Sequence, residues 1–257
     1  MARGFTLMEM VITIILLSVV GLFLGSVIRQ SMGIYVDTTA REALIQQGRF
    51  VTERLSRELR EAVPNSVMVE NGCIEFLPIT DSAIYSELPT VQSPSAAVRL
   101  LPIDKKVLNG DRLVVFPTNA ASLRQTPSAS GQTAQVNADV DFTSPNNTSM
   151  VDVVLTQPTG FEIQSPAKRV YFYRTPVAFC YQNSRIYRYA DYALNRSALS
   201  PEQLGTPVLM AENISQANFH VTQPELQRNG LVKIELTFSD RGEEVRFDHD
   251  ALIYNTP

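Results

Sequence analysis

The sequence predicts an α+β protein: a long N-terminal helix, membrane-spanning at first and then amphipathic, packed on an antiparallel β-rich C-terminal domain. Three observations carry this expectation. Residues 5–28 form an apolar run whose only charged residue is Glu9. A charge-rich amphipathic stretch, 29–63, continues that run as far as Pro64. Over 64–257, short β-branched and aromatic runs alternate with turn residues, a strand texture.

The first segment is long enough to cross a bilayer. Residues 5–28 rise about 36 Å as a helix, against roughly 30 Å of hydrocarbon. Arg3 precedes the run and Arg29 ends it. A secretory signal has a basic n-region, a shorter apolar core and a small-residue cleavage site after it. Here there is almost no n-region, and Gln30-Ser31-Met32-Gly33-Ile34 is no such site. Arg3 with the amino terminus balances Arg29 with Arg41, so charge alone sets no orientation. Glu9 is the anomaly, because a carboxylate at the centre of a membrane helix costs about 2.5–3.5 kcal/mol, less towards an interface. Gly21 and Gly25 have the Gly-x-x-x-Gly spacing that lets membrane helices approach, a spacing that common small residues also produce.

The second segment draws one apolar stripe. Leu44, Gly48, Val51, Leu55, Leu59 and Ala62 recur at spacings of three and four, the signature of a helix covering its own domain. The other faces carry Arg and Glu, with Glu53–Arg57, Arg54–Glu58 and Arg57–Glu61 at i, i+4, each pair worth about 0.2–0.5 kcal/mol in an isolated helix. Pro64 ends it, because the residue before a proline disfavours helix.

In the third segment, 73–77, 112–116, 150–155, 169–174, 177–181, 185–189, 231–238 and 245–249 read as strands. Gln182-Asn183-Ser184 and Ser239-Asp240-Arg241-Gly242 read as turns. No strand alternates with a long helix, so the sheet is expected to be antiparallel. Residues 117–149, rich in Ser, Thr, Asn, Ala and Gln, read as an irregular surface loop. Asn137, Asp139 and Asp141 within it lack the Gly and distal Glu of a calcium loop. That leaves a solvated loop and no metal site.

Composition narrows the function. The chain has 257 residues, two His and no Trp, and no H-E-x-x-H, G-x-S-x-G or phosphate-binding glycine loop. His249 lies between Asp248 and Asp250, but neighbouring strand residues point to opposite faces. Neither an enzyme nor a cofactor is expected. A net charge of −4 argues against nucleic acid as a partner. A binding surface of Tyr187, Tyr189 and Tyr192 with Arg185 and Arg188 competes with ordinary strand residues. Cys73 and Cys180 fall in expected strands. In an oxidising compartment they can bridge; otherwise they are two buried thiols.

Gly4-Phe5-Thr6-Leu7-Met8-Glu9 resembles the cleavage and methylation motif of type IV prepilins and pseudopilins. The resemblance implies a leader of residues 1–4, cutting between Gly4 and Phe5 by a prepilin peptidase, and N-methylation of Phe5. It also implies that Glu9 guides docking of the subunit onto a growing filament. The physical chemistry agrees: an amine on Phe5 and the Glu9 carboxylate sit i, i+4 on one helix face, and both need partners in lipid. Tyr35-Val36-Asp37-Thr38-Thr39-Ala40-Arg41-Glu42-Ala43-Leu44, Arg49-Phe50 and Glu53-Arg54-Leu55-Ser56-Arg57-Glu58-Leu59-Arg60 look like the PilW-type minor pilins. Gly72-Cys73-Ile74-Glu75-Phe76-Leu77-Pro78-Ile79 and Val177-Ala178-Phe179-Cys180-Tyr181 are similar to minor pilins of the mannose-sensitive haemagglutinin (MSHA) biogenesis set.

What the resemblance implies is a pilin-like fold and a minor subunit that helps start or cap a type IV pilus, with cell adhesion downstream. The implied partners are major and minor pilins, the prepilin peptidase, the inner-membrane assembly platform and membrane lipid. The implied location is a single pass of the inner membrane with the globular domain in the periplasm, then the pilus at the cell surface. The J-type pseudopilins of type II secretion share the leader and charged helix, and a tip adhesin is a further alternative.

Overall fold

In the computed structural model, the described residues are 4, 6–101, 106–142, 150–196, 198–222 and 230–253. Thr6, in extended conformation, caps the one α-helix among the described residues, its hydroxyl accepting from the Glu9 amide at 3.3 Å. Helix α1 spans Leu7–Arg60, 54 residues and so about 80 Å. Its apolar N-terminal part is exposed and is long and apolar enough to cross a membrane. Hydroxyls in that part return to the carbonyl one turn back: Thr13 to Met10 at 2.8 Å, Ser18 to Ile14 at 2.7 Å and Ser26 to Phe23 at 2.7 Å. Polar groups inside a lipid-facing helix are satisfied in this way, within their own segment.

The C-terminal third of α1 is buried along Leu44, Gly48, Val51, Thr52, Leu55, Ser56 and Leu59. The helix ends when the Val63 amide bonds the Leu77 carbonyl at 2.8 Å and the Ile79 amide the Glu61 carbonyl at 2.8 Å. The chain thus passes from helix into sheet pairing without a long connection.

Among the described residues seventeen strands follow. The first six are β1 (Met68–Glu70), β2 (Cys73–Phe76), β3 (Asp81–Glu87), β4 (Ser95–Leu100), β5 (Lys106–Val107) and β6 (Arg112–Val115). Next come β7 (Ser130–Gly131), β8 (Thr133–Gln135), β9 (Val140–Asp141), β10 (Val151–Phe161), β11 (Arg169–Tyr173) and β12 (Val177–Gln182). The last are β13 (Arg185–Tyr189), β14 (Val208–Ala211), β15 (Ile214–Thr222), β16 (Gly230–Asp240) and β17 (Glu243–Ile253).

Two sheets meet the helix. One is antiparallel in the order β1-β2-β12-β13-β14, the other is the antiparallel set β15-β16-β17. Leu44, Val51, Leu55 and Leu59 share one core with Ile74, Phe76, Phe179, Ile234, Leu236 and Phe238. A seven-stranded sheet, β7-β10-β4-β3-β11-β6-β8, has its own core of Tyr85, Val98, Leu113, Val153, Phe161 and Phe172. Among the described residues its parallel contacts are β10 with β7 and a bridge from Thr90 to Phe161 of β10. Every strand of that sheet lies in sequence between β2 and β12, which are hydrogen-bonded neighbours in the other. The seven-stranded lobe is therefore an insertion whose two ends leave adjacent strands.

Three hairpins close through pairs of left-handed residues: Asn71-Gly72 (φ 51° and 72°), Asn183-Ser184 (48° and 60°) and Arg241-Gly242 (50° and 87°). Two such residues in succession give the turn whose twist matches the flanking strands. Residues 117–149, expected to be irregular, carry the short strands β7, β8 and β9 at the edges of sheets; residues 143–149 lie outside the described set.

Candidate functional site

Two regions carry candidate function: the start of α1 and a buried ionic cluster behind the disulfide. At the first, Gly4 is exposed and Phe5 lies outside the described residues. Glu9 is exposed on the first turn of α1, and its carboxylate forms no ion pair among the described residues. Leu7, Met8, Met10 and Val11 surround it and are exposed as well. The helix thus offers a lone carboxylate in an apolar, unpaired surface. Gly21 and Gly25 meet nothing within 4 Å, so their spacing is open to a neighbouring helix.

The Cys73 and Cys180 sulfurs are bonded at 2.06 Å, across directly paired positions of β2 and β12. Side chains alternate along a strand, so Cys73 and Glu75 share the face of β2 opposite to Ile74 and Phe76. On that face lie Ala178, Cys180, Tyr189, Tyr192, Leu199 and Leu204.

Glu75 is fully buried and is met from three sides. The Arg124 Nε donates to Oε1 at 2.6 Å, and the Tyr192 hydroxyl donates to Oε2 at 2.6 Å. The Arg196 Nη2 also reaches Oε2. Arg124 further bonds the Ala120 carbonyl at 2.5 Å and the Ser66 carbonyl at 2.8 Å. Arg196 lies over the Tyr192 ring at 5.2 Å from its centroid, a cation–π contact. Burial lowers the pKa of Arg124 from its ordinary value, the Glu75 carboxylate opposing this. Burial first, and then the Glu75 charge, push the Tyr192 phenol far above its ordinary range. Nearby, burial raises Tyr173 to about 12. The cluster ties β2 to residues of the inserted lobe and to the chain after β13.

Sequence reasoning missed this cluster. Glu75 stood in an expected strand, and nothing local marked it as buried. Its partners lie 49 and 117 residues away.

Other groups do not assemble into sites. Tyr189 and Tyr192, which the alternative of a binding surface needed exposed, are buried, as ordinary core-facing residues are. Arg188 instead grips Glu58 of α1 through Nε and Nη2, both at 3.1 Å, and Arg185 faces Glu212 at 3.7 Å. Glu58 also takes Arg54 at 2.5 Å, so one i, i+4 pair of the helix is extended into the sheet. Asp139 caps the Asn109 amide at 2.7 Å and Asp141 pairs with Lys106 at 2.7 Å. No cluster of three potential metal ligands occurs among the described residues. His249 Nε2 is buried with no hydrogen-bond partner among those residues, while Asp248 and Asp250 are exposed on the other face of β17.

No family model, curated protein or solved structure matches the chain.

Proposed function

We propose that the chain is a minor pilin, a pilin-like structural subunit that helps initiate or cap a type IV pilus of the MSHA type. The observation that carries this reading is Glu9: one carboxylate, without an ion pair among the described residues, on the first turn of a membrane-length helix and directly after Gly4-Phe5-Thr6. A charge in that place is costly unless a second group neutralises it. A freed amine on Phe5, from the same chain or from a subunit beside it, is such a group. The rest of α1 supports the reading, because its apolar half stands clear of the domain and is free to pack against other helices.

In this proposal the prepilin peptidase cuts after Gly4 and Phe5 is methylated. The helix anchors the subunit in the inner membrane until the assembly platform draws it into a filament. The inserted lobe and the helix-bound sheets then form the part exposed on the pilus.

Intact-mass and N-terminal peptide mass spectrometry, with and without the peptidase, tests the route. The expected product is a chain starting at methylated Phe5 that depends on the peptidase. A chain still starting at Met1 or Ala2 in the presence of the peptidase sinks the reading. Glu9→Val should leave insertion and cleavage intact and reduce recovery in sheared pili; wild-type recovery would remove the docking role. Rescue of piliation or of secretion, in strains lacking either machine's minor subunits, separates the pilus from type II secretion.

A further inference from the structure

Strand β17 is an open edge. Its 11 residues pair with β16 throughout, and no strand pairs with its other side among the described residues. The two-residue turn Arg241-Gly242 closes on the hydrogen-bonded pair of Asp240 and Glu243. From there bonded and non-bonded pairs alternate, and the register never shifts. The odd-numbered residues of β17 therefore bond β16. The amides and carbonyls of Glu244, Arg246, Asp248, Asp250 and Leu252 point away from it, and no other backbone bond reaches them among the described residues. Long edges are commonly blunted by a bulge, a proline or a very short strand, and β17 has none of these.

The side chains define the strand that fits. On its solvent face β17 presents Glu244, Arg246, Asp248 and Asp250, three carboxylates against one guanidinium. Arg246 is held by Asp248 at 3.2 Å, whereas Glu244 and Asp250 form no ion pair among the described residues. On β16 beside them Lys233 and Glu235 pair at 2.6 Å and add no net charge. On the helix-facing side, Val245 and Phe247 border the core but are only partly buried. A neighbouring strand that is basic on one face and apolar on the other answers both, because opposite charges attract across a ladder. A second copy fits less well. Antiparallel pairing of two β17 edges sets Asp248 against Asp248 in the register centred there, and Glu244 against Asp250 in the register centred on Phe247.

We propose that β17 is a docking edge for an extended segment of a partner protein, one in which basic residues alternate with apolar ones. The segment adds a fourth strand to the β15-β16-β17 sheet, and its backbone bonds the outward amides and carbonyls. Its basic side chains face Glu244, Asp248 and Asp250, and its apolar ones cover Val245 and Phe247. This is independent of the filament reading.

The probe is a fluorescent nine-residue peptide in which lysine alternates with valine, titrated by anisotropy against the full disulfide-bonded chain in detergent at fixed ionic strength. Saturable binding is expected, at least tenfold weaker for the peptide with glutamate in place of lysine. Hydrogen exchange at the outward amides should be fast in the free chain and slowed by the lysine peptide. Asp248→Pro removes an amide that bonds nothing in the free chain, a place where an edge strand tolerates proline, so the fold should persist and binding should be lost. Asp250→Lys should weaken binding several-fold, and it decides where Asp248→Pro does not fold. No saturable binding of the lysine peptide, equal binding of the glutamate peptide, unchanged affinity in the deciding variant, or outward amides already protected in the free monomer overturns the proposal. A concentration-dependent dimer that is lost in Asp248→Pro assigns the edge to a second copy and overturns it as well.

Discussion

Gly48 fixes how closely the helix lies on the sheet. A Cβ at that position would stand 2.0 Å from the Phe247 ring of β17, far inside contact distance. Helix propensity alone favours alanine over glycine by about 0.8–1.0 kcal/mol, so the glycine is there for packing. Gly48→Ala is expected to destabilise the domain by about 1–3 kcal/mol, the usual range for overpacking. Chemical denaturation of the full chain in detergent measures it. In the Phe247→Leu background the same change should be much milder, and equal losses in both backgrounds would refute the contact as the cause. Gly160 has a similar constraint against backbone, its Cβ falling 2.5 Å from the Thr90 carbonyl oxygen.

The helix was legible in the sequence because its evidence is local. Leu44, Gly48, Val51, Leu55 and Leu59 repeat at the helical period, and each is buried on one side of α1. Strands were legible where apolar residues crowd together, as in β2, β12 and β16. They were not where the inward positions are small or polar: β3 alternates buried and exposed, but its inward residues are Asp81, Ala83 and Tyr85. In β15 the register shifts between Ile214 and Gln216, which breaks the alternation. The Asn71-Gly72 turn was a strong hairpin signal that pattern reading passed over. The Glu75 cluster had no local signal, because tertiary structure alone brings Arg124, Tyr192 and Arg196 to it. The element most dependent on a covalent tie is the β2–β12 pair. Replacing both Cys73 and Cys180 with Ala should lower stability by roughly 2–5 kcal/mol, read as a fall in the denaturation midpoint. An unchanged midpoint would mean that strand pairing alone holds the two ends of the lobe.

The whole molecule is a helix-bound platform carrying an inserted lobe, and ionisation should report on the joint between them. Tyr173 is raised to about 12 by burial and Tyr192 is raised further. Both folded-state values exceed the ordinary phenol value near 10. Their contribution to stability is therefore complete below pH 10 and is lost as pH rises through 10 towards 12 and beyond. Absorbance at 295 nm should show these phenols ionising only as circular dichroism reports unfolding. Their ionisation in the folded protein at pH 10 would contradict the burial. The placement of the disulfide also has a mechanical meaning. Tension entering along α1 and leaving through the C-terminal sheet crosses from Cys73 directly to Cys180, whose Cα atoms are 4.0 Å apart. The inserted lobe hangs outside that load path. In single-molecule pulling, the oxidised chain should extend less than the reduced chain by about 370 Å, the length of the 107 residues that the bridge shunts. A chain built this way can be stretched while its inserted lobe bears no force.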